Sequence, residues 1–344
     1  MRKLLCCVFL IFIAALSLSH TVSGKPNQEK HVLFLWWNVE NLFDADNDPA
    51  TEDDDFTPEG KLQWTEKRVW LKKMRIRHLL SAVEAHPDYR KYPDIVAFAE
   101  VENRKIFEGT LEGMYGIGYK TIYHESRDPR GIDIGLAYNP ETIRPNGSKA
   151  YTVPLDDRPT RKIIVAKFSA ASHPFYLILN HWPSRSFDTG WTEPKRLTAA
   201  KVARHILDSL LVSNPKADCI VMGDFNDEPF DRSLKQGLRS TFDAARVRAN
   251  SDGLLYNCWS DYEGIGSYFY NNHWQQIDQI LLSPGMLDNR GLTAPEGSFH
   301  CFSFFRLFDY SGKKPWATYE KRKYKGGYSD HLPLILKARI TPYP

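Results

Sequence analysis

An α/β fold is what this chain predicts, with sheets packed together under flanking helices, and three observations carry the prediction. Apolar strand-like runs alternate with helical segments from about Val32 to Leu336. No internal repeat and no low-complexity linker divides them. With 344 residues, 42% hydrophobic and 13% aromatic, the chain can bury a large core. That excludes a disordered tail, a coiled coil and a disulfide-stapled miniprotein.

Arg2 and Lys3 precede an apolar run from Leu4 to Leu18, and Val22-Ser23-Gly24 supplies small residues for cleavage. This pattern is a secretory signal peptide over residues 1–24, ahead of one domain at 25–344 in a secreted or periplasmic protein. The run is shorter than the ~20 residues a spanning helix needs. Strands are expected at Val32 to Trp37, Asp94 to Ala99, Ile132 to Tyr138, Ile163 to Phe168, Phe175 to Leu179, Cys219 to Met222, Ile277 to Leu282 and Pro333 to Lys337. Helices are expected at Thr65 to Ala85, which opens on Thr-Glu, and at Pro194 to Val212, where Leu197, Val202, Ile206 and Leu210 recur near helical spacing.

Lys+Arg 45 against Asp+Glu 42 leaves a net charge of +3, and cleavage after residue 24 lowers it further. A phosphate-bearing partner must therefore meet a local basic patch, not a bulk polycation. Cys219, Cys258 and Cys301 remain after cleavage, without the C-x-x-C spacing of a zinc ribbon or thioredoxin-type site. Cys219 reads as a buried thiol, and Cys258 and Cys301 could pair, a choice the sequence leaves open.

Four strands run into polar clusters: Asn38-Val39-Glu40-Asn41, Glu100-Val101-Glu102-Asn103, Asn180-His181-Trp182 and Gly223-Asp224-Phe225-Asn226-Asp227. Each alone reads as a turn. Together they gather carboxylates, amides and imidazole along one edge of the core, where loops deliver function. Glu100 and Asn38 offer the hard oxygen ligands Mg²⁺ prefers. Asp224 can orient or deprotonate a water while Asn226 donates to phosphoryl oxygen. Asp278 can fix the His331 imidazole if their strands meet, whereas Asp330 is less well placed because adjacent strand residues face opposite ways.

Leu35-Trp36-Trp37-Asn38-Val39-Glu40-Asn41, Pro93-Asp94-Ile95-Val96-Ala97-Phe98-Ala99-Glu100, Gly223-Asp224-Phe225-Asn226, Ile277-Asp278-Gln279-Ile280-Leu281 and Ser329-Asp330-His331 follow one another over nearly the whole mature chain. In that order they resemble the endonuclease/exonuclease/phosphatase superfamily, deoxyribonuclease-like and exonuclease III-like, in a secreted bacterial-type form. The resemblance implies a four-layered α/β sandwich with two central mixed β-sheets flanked by helices, and phosphoester cleavage dependent on Mg²⁺ or Mn²⁺. By the same resemblance Asn38 and Glu100 are metal-site residues, with Asp330 a second metal or orienting ligand. Asp224 orients the nucleophilic water, Asn226 holds the phosphate, and Asp278 with His331 stands at the far side of the scissile bond. His181 resembles the second histidine of the deoxyribonuclease and sphingomyelinase branches, where it assists the leaving group. Asn180 beside it is expected to bind phosphate or metal.

Looser signals surround this set. Glu102 joins Glu100 only if the strand continues past it. Asp133 and Arg130 read equally as site residues, with Arg130 on a phosphate, or as an ion pair on a loop. Asp44, Asp46, Asp48, Glu52, Asp53, Asp54 and Asp55 look superficially like a calcium loop, but Pro49 and Asp55 fall where an EF-hand requires Gly and Glu. A solvated loop is the first reading there and a structural cation site the second. Two basic, aromatic stretches adjoin the site: Trp182 to Arg196, with Arg185, Trp191 and Lys195, and Lys313 to Tyr328, with Trp316, Tyr319, Lys321, Arg322, Lys323 and Lys325. Basic groups interleaved with rings suit a nucleic-acid backbone and its bases. They also suit phospholipid headgroups, and the superfamily includes sphingomyelinases and inositol phosphate phosphatases. A phosphoester substrate is expected, nucleic acid favoured over phospholipid, inositol or sugar phosphate, and no stable protein partner is implied.

Overall fold

In the computed structural model, residues 30–185, 189–249 and 253–341 are described; the segment 1–24, expected to be a signal peptide, lies outside them. The chain runs β1 (His31–Leu42), α1 (Glu66–Ala85), β2 (Ile95–Val101), α2 (Arg104–Leu111), β3 (Lys120–Tyr123), β4 (Asp133–Tyr138), β5 (Ile143–Tyr151), β6 (Ile163–Ala170) and β7 (His173–His181). It continues α3 (Thr189–Ser213), β8 (Asp218–Asp224), β9 (Ser240–Thr241), α4 (Ala244–Ala249), β10 (Leu255–Asn257), β11 (Tyr268–Tyr270), β12 (His273–Gln275) and β13 (Asp278–Leu282). Last come β14 (Gly291–Thr293), β15 (Phe299–Cys301), β16 (Tyr319–Glu320), β17 (Lys323–Tyr324) and β18 (Leu334–Thr341).

Two large mixed sheets result, as expected of the sandwich. The first has the order β14-β18-β1-β2-β4-β3, with β15 also on β18, and the second β5-β6-β7-β8-β13-β10-β9. Parallel pairing of β1 with β2 and of β7 with β8 is bridged by the helical crossovers α1 and α3. Alternation divides the second sheet cleanly. Phe168, Leu177, Leu179, Ile220, Met222 and Ile280 join the cluster shared with the first sheet, while Ile178, Cys219, Val221 and Leu281 pack with Ala199, Ala203 and Leu207 of α3. A residue's parity in β7, β8 or β13 thus decides whether it faces the sheet interface or the helix.

All eight expected strands and both expected helices form, with two differences near the site. The Asn38 to Asn41 cluster lies inside β1, where Glu40 and Asn41 take φ of 52° and 58° and the pairing with β2 shifts register. Glu100 likewise sits inside β2 at φ 63°. Such bulges re-aim side chains at sheet edges. Cys258 and Cys301 are free, buried thiols, as is Cys219, so the pairing left open by sequence is not made. Among the described residues no helix is long and apolar enough to cross a membrane.

Candidate active site

His181, Asp224 and Asp278 form one row across three neighbouring strands, because His181 pairs with Asp224 in the parallel register of β7 and β8, and Asp278 pairs with Asp224 across β8 and β13. They share the parity of Leu179, Met222 and Ile280, so all three point to the sheet interface. His331, just before β18, completes the row: its Nδ1 donates to Asp278 Oδ2 at 2.7 Å. Asp278 is held by further donors, Ser267 Oγ to Oδ2 at 2.7 Å and Trp36 Nε1, from the opposite sheet, to Oδ1 at 2.9 Å. Asp224, Asp278 and His331 bring ligand atoms within 4.8 Å of one another.

The first sheet faces this row with Asn38 and Glu100. Plain alternation would turn Glu100 toward the α2 side, where Phe98 meets Phe107. The positive φ turns it inward, so Oε1 accepts from Asn38 Nδ2 at 3.2 Å and Oε2 from the Asn41 N–H at 2.9 Å. Asn38 Nδ2 also donates to Asp224 Oδ2 at 3.1 Å, while its Oδ1 takes the Glu40 N–H at 3.0 Å. In this arrangement the Asn38 amide presents N–H groups to the site and orients two carboxylates.

Charge states follow from these surroundings. Burial, then Asp278, push Asp224 up to about 7, against His331 and the Asn38 amide. Burial opposes charge on His331, but Asp278 and Asp330 outweigh it and hold the imidazole well above its usual range, as a cation. His181 goes the other way: burial, then Arg161 and Arg130, hold it well below, as a neutral ring with Nε2 3.8 Å from Asp224 and 3.9 Å from Glu100. Two histidines in one site are thereby driven to opposite protonation states. Asn226 is fixed at φ 51°, with its N–H on Asp224 Oδ1 at 2.9 Å and Nδ2 on the Trp182 carbonyl at 3.1 Å. Asp330, half-exposed, has its Oδ1 3.9 Å from His331 Nε2.

Other expected site residues are not brought in. Asn180 has the parity of Ile178, is fully buried on the α3 side, and spends its amide on the Ile178 carbonyl and the Trp182 indole N–H. Asp133 accepts from the Ser126 backbone at 3.0 Å as a buried loop anchor. Glu102 follows the end of β2, so the strand does not carry it to Glu100, and it accepts the Asp44 N–H at 2.7 Å. Arg130 pairs with Asp128 at 3.3 Å, not Asp133, yet stays close enough to depress His181. Arg185 reaches the rim through Gln275 Oε1. The rings of the 313–328 stretch are not free for stacking: Tyr319 and Tyr324 pack on Trp64, and Trp316 and Tyr328 lie under Arg75. Arg196 is likewise buried against Asp227 at 2.7 Å. Trp191 alone of the rings assigned to substrate is broadly exposed, with Lys195 Nζ 4.0 Å above it.

Sequence reading missed five contributors. Arg161 is a buried guanidinium pairing with Asp128 at 3.0 Å and acting on His181. Lys72 of α1 donates to the Tyr328 carbonyl at 2.8 Å, and Glu40 accepts the Thr318 and Tyr319 N–H groups. Burial pulls Lys72 down to about 8, and burial with Asp330 pushes Glu40 up to about 8. Tyr268 on β11 stacks on His331 at 4.7 Å, and Tyr270, two residues on and half exposed, stacks on Tyr268 at 6.3 Å. Only the last carried a signal, since YFY-NN-HWQ is a two-residue hairpin with Asn271 and Asn272 both at positive φ.

The profile described as "Endonuclease/Exonuclease/phosphatase family" matches residues 33–339. Among curated proteins nothing matches. Among solved structures, a mannosyl-6-phosphatase from Bacteroides thetaiotaomicron superposes with a TM-score of 0.54 at 13% identity, covering 89% of this chain and 99% of that one. D. rerio TDP2 complexed with single-strand DNA product gives 0.53 at 15%, covering 90% and 99%. The human Nocturnin catalytic domain with bound sulfate gives 0.55 at 17%, covering 91% and 98%. At these identities the likeness is one of fold.

Proposed function

The chain belongs to the endonuclease/exonuclease/phosphatase family, whose members hydrolyse phosphoesters, and from that premise we propose a divalent-metal-dependent phosphodiesterase acting on nucleic acid with low sequence specificity. The observation that carries the proposal is the row of neutral His181, Asp224, Asp278 and cationic His331, facing Glu100 across the sheet interface. The donors fit Mg²⁺ or Mn²⁺: hard oxygens at Glu100 and Asp330, beside buried carboxylates at Asp224 and Asp278 that lack enough positive charge. Glu100 and Asp330 would hold the ion, which would neutralise charge on the phosphoryl group. Asp224, deprotonated above about pH 7, takes the proton of the attacking water. His331, locked by Asp278, donates to phosphoryl oxygen, and neutral His181 supplies an N–H without adding charge. Arg185 at the rim and the Tyr268 and Tyr270 rings stacked outward from His331 support a substrate that extends beyond the scissile phosphate.

A second reading, a phosphatase for an inositol or sugar phosphate or a sphingomyelinase-like enzyme for phospholipid, is favoured by the inward packing of Trp316, Tyr319, Tyr324 and Tyr328, which removes rings that could stack bases. Incubation with plasmid, single-stranded DNA, RNA, phosphocholine lipid and sugar phosphates, with Mg²⁺ and with EDTA, separates the two. EDTA-sensitive nicking supports the first, and phosphate or phosphocholine release without nicking replaces it with the second.

A further inference from the structure

Most acids of the run after β1, Asp46, Asp48, Glu52 and Asp54 among them, are exposed as a solvated loop would leave them, but Asp53 is buried. Glu52 N–H bonds the Pro129 carbonyl at 2.6 Å, and a Cβ at Gly60 would strike the Asp54 and Asp55 carbonyls. The outer acids have cations: Asp46 meets Lys105 at 3.5 Å, Asp55 meets Lys61 at 3.1 Å, and Glu52 meets Arg158. The inner acids have none among the described residues. Asp53 is 1% exposed; its Oδ2 takes the Asp48 N–H at 2.9 Å, and its Oδ1 is buried without any partner. Glu102, 8% exposed, holds the Asp44 N–H and lies in the combined field of Asp44, Asp53 and Asp48. A buried carboxylate oxygen with no donor, among three further acids, costs several kcal/mol unless a cation meets it.

We propose that Asp53 Oδ1 and Glu102, with carbonyls of the 44–55 loop, bind a structural Ca²⁺ outside the active site. No three carboxylate or imidazole ligand atoms of this loop lie within 4.8 Å of one another, in contrast to the active-site trio. Two carboxylates completed by carbonyls and water suit Ca²⁺, which accepts 6–8 oxygens at about 2.3–2.6 Å in flexible geometry, better than Mg²⁺, which demands a tight octahedron. The loop leaves β1 beyond Asn38, and Glu102 closes β2 beyond Glu100, so the ion would clamp the two strand ends that carry those site residues.

The test titrates Ca²⁺ into purified Glu100→Gln protein, which lacks the carboxylate assigned to the active-site ion, by calorimetry and thermal melting. The expected result is a single site, with the midpoint raised by roughly 5 °C at saturation. Adding Asp53→Asn or Glu102→Gln is expected to weaken Ca²⁺ at least 10-fold and abolish the rise. Glu102→Gln keeps an oxygen for the Asp44 N–H and serves as the second variant where Asp53→Asn does not fold. Absence of Ca²⁺ binding in the parent, or unchanged affinity in the variants, overturns the site.

Discussion

Asp224 and His331 carry opposite linkages to pH although they lie in one cluster. Asp224 rises to about 7 from an ordinary 3.8, so the folded chain holds a proton there that the unfolded chain has lost, and stability falls as pH climbs between those values. His331 is raised as well, but its proton brings a favourable pair with Asp278, so its contribution is complete below about 6.5 and disappears as pH passes its raised value. Asp224→Asn removes the buried charge while keeping an oxygen for the Asn226 N–H. It is expected to stabilise the metal-free protein more at pH 8 than at pH 5, by a difference on the order of 2–3 kcal/mol, while hydrolysis falls at least 10³-fold. Urea titrations at both pH values in EDTA check the first part; equal gains at the two would remove the ionised carboxylate as the cause. These two residues were legible because each closes a strand-borne motif. Arg161 and Lys72 were not, since a lone cation in sequence does not reveal the buried acid it will meet, and the sequence did not show that the parity of Asn180, one residue from His181, puts it on the helix side.

Elements were legible where burial is two-sided. The eight core strands are apolar runs ended by polar clusters, whereas β5, IRPNGSKAY, is an exposed edge strand whose Pro145 and Gly147 imitate a turn and accompany a register shift. The basic stretch before His331 shows the opposite failure. Its composition suggested a stacking surface, but β16 and β17 fold back on α1: Tyr328 is fully buried, bonds His78 Nδ1 through its hydroxyl at 2.6 Å, and lies under Arg75. Its rings extend the main core and hold Thr318 and Tyr319 against Glu40. Tyr328→Ala is therefore expected to cost about 3–5 kcal/mol in chemical denaturation, the range for truncating a buried aromatic. Lys321→Ala, on the exposed turn, is expected to leave stability within about 0.5 kcal/mol and to change only the salt dependence of substrate binding. A Tyr328→Ala protein as stable as wild type would return those rings to the substrate.

At the scale of the whole molecule, the site is the seam between the sheets. Asn38 and Glu100 come from the first sheet and His181, Asp224 and Asp278 from the second; Trp36 crosses the seam to Asp278 at 2.9 Å, while Trp37, of opposite parity, holds the His331 carbonyl at 2.9 Å. Like charges gathered there oppose closure of the sandwich, and a divalent ion at Glu100 would remove that opposition, so occupancy of the proposed metal site is coupled to global stability. At Mg²⁺ 100-fold above its dissociation constant the gain is about 2.7 kcal/mol. For a chain this long that is a rise of roughly 4 °C in the melting midpoint over EDTA. Glu100→Gln is expected to retain the fold, lose most of that rise and require more Mg²⁺ for turnover. Its Mg²⁺ dependence also separates the two cation sites, because Asp53→Asn should lose the Ca²⁺ response and keep this one. Melting curves of the wild-type protein that superimpose in Mg²⁺ and EDTA would mean that the seam closes on its own charges, and that Glu100 does not hold the ion.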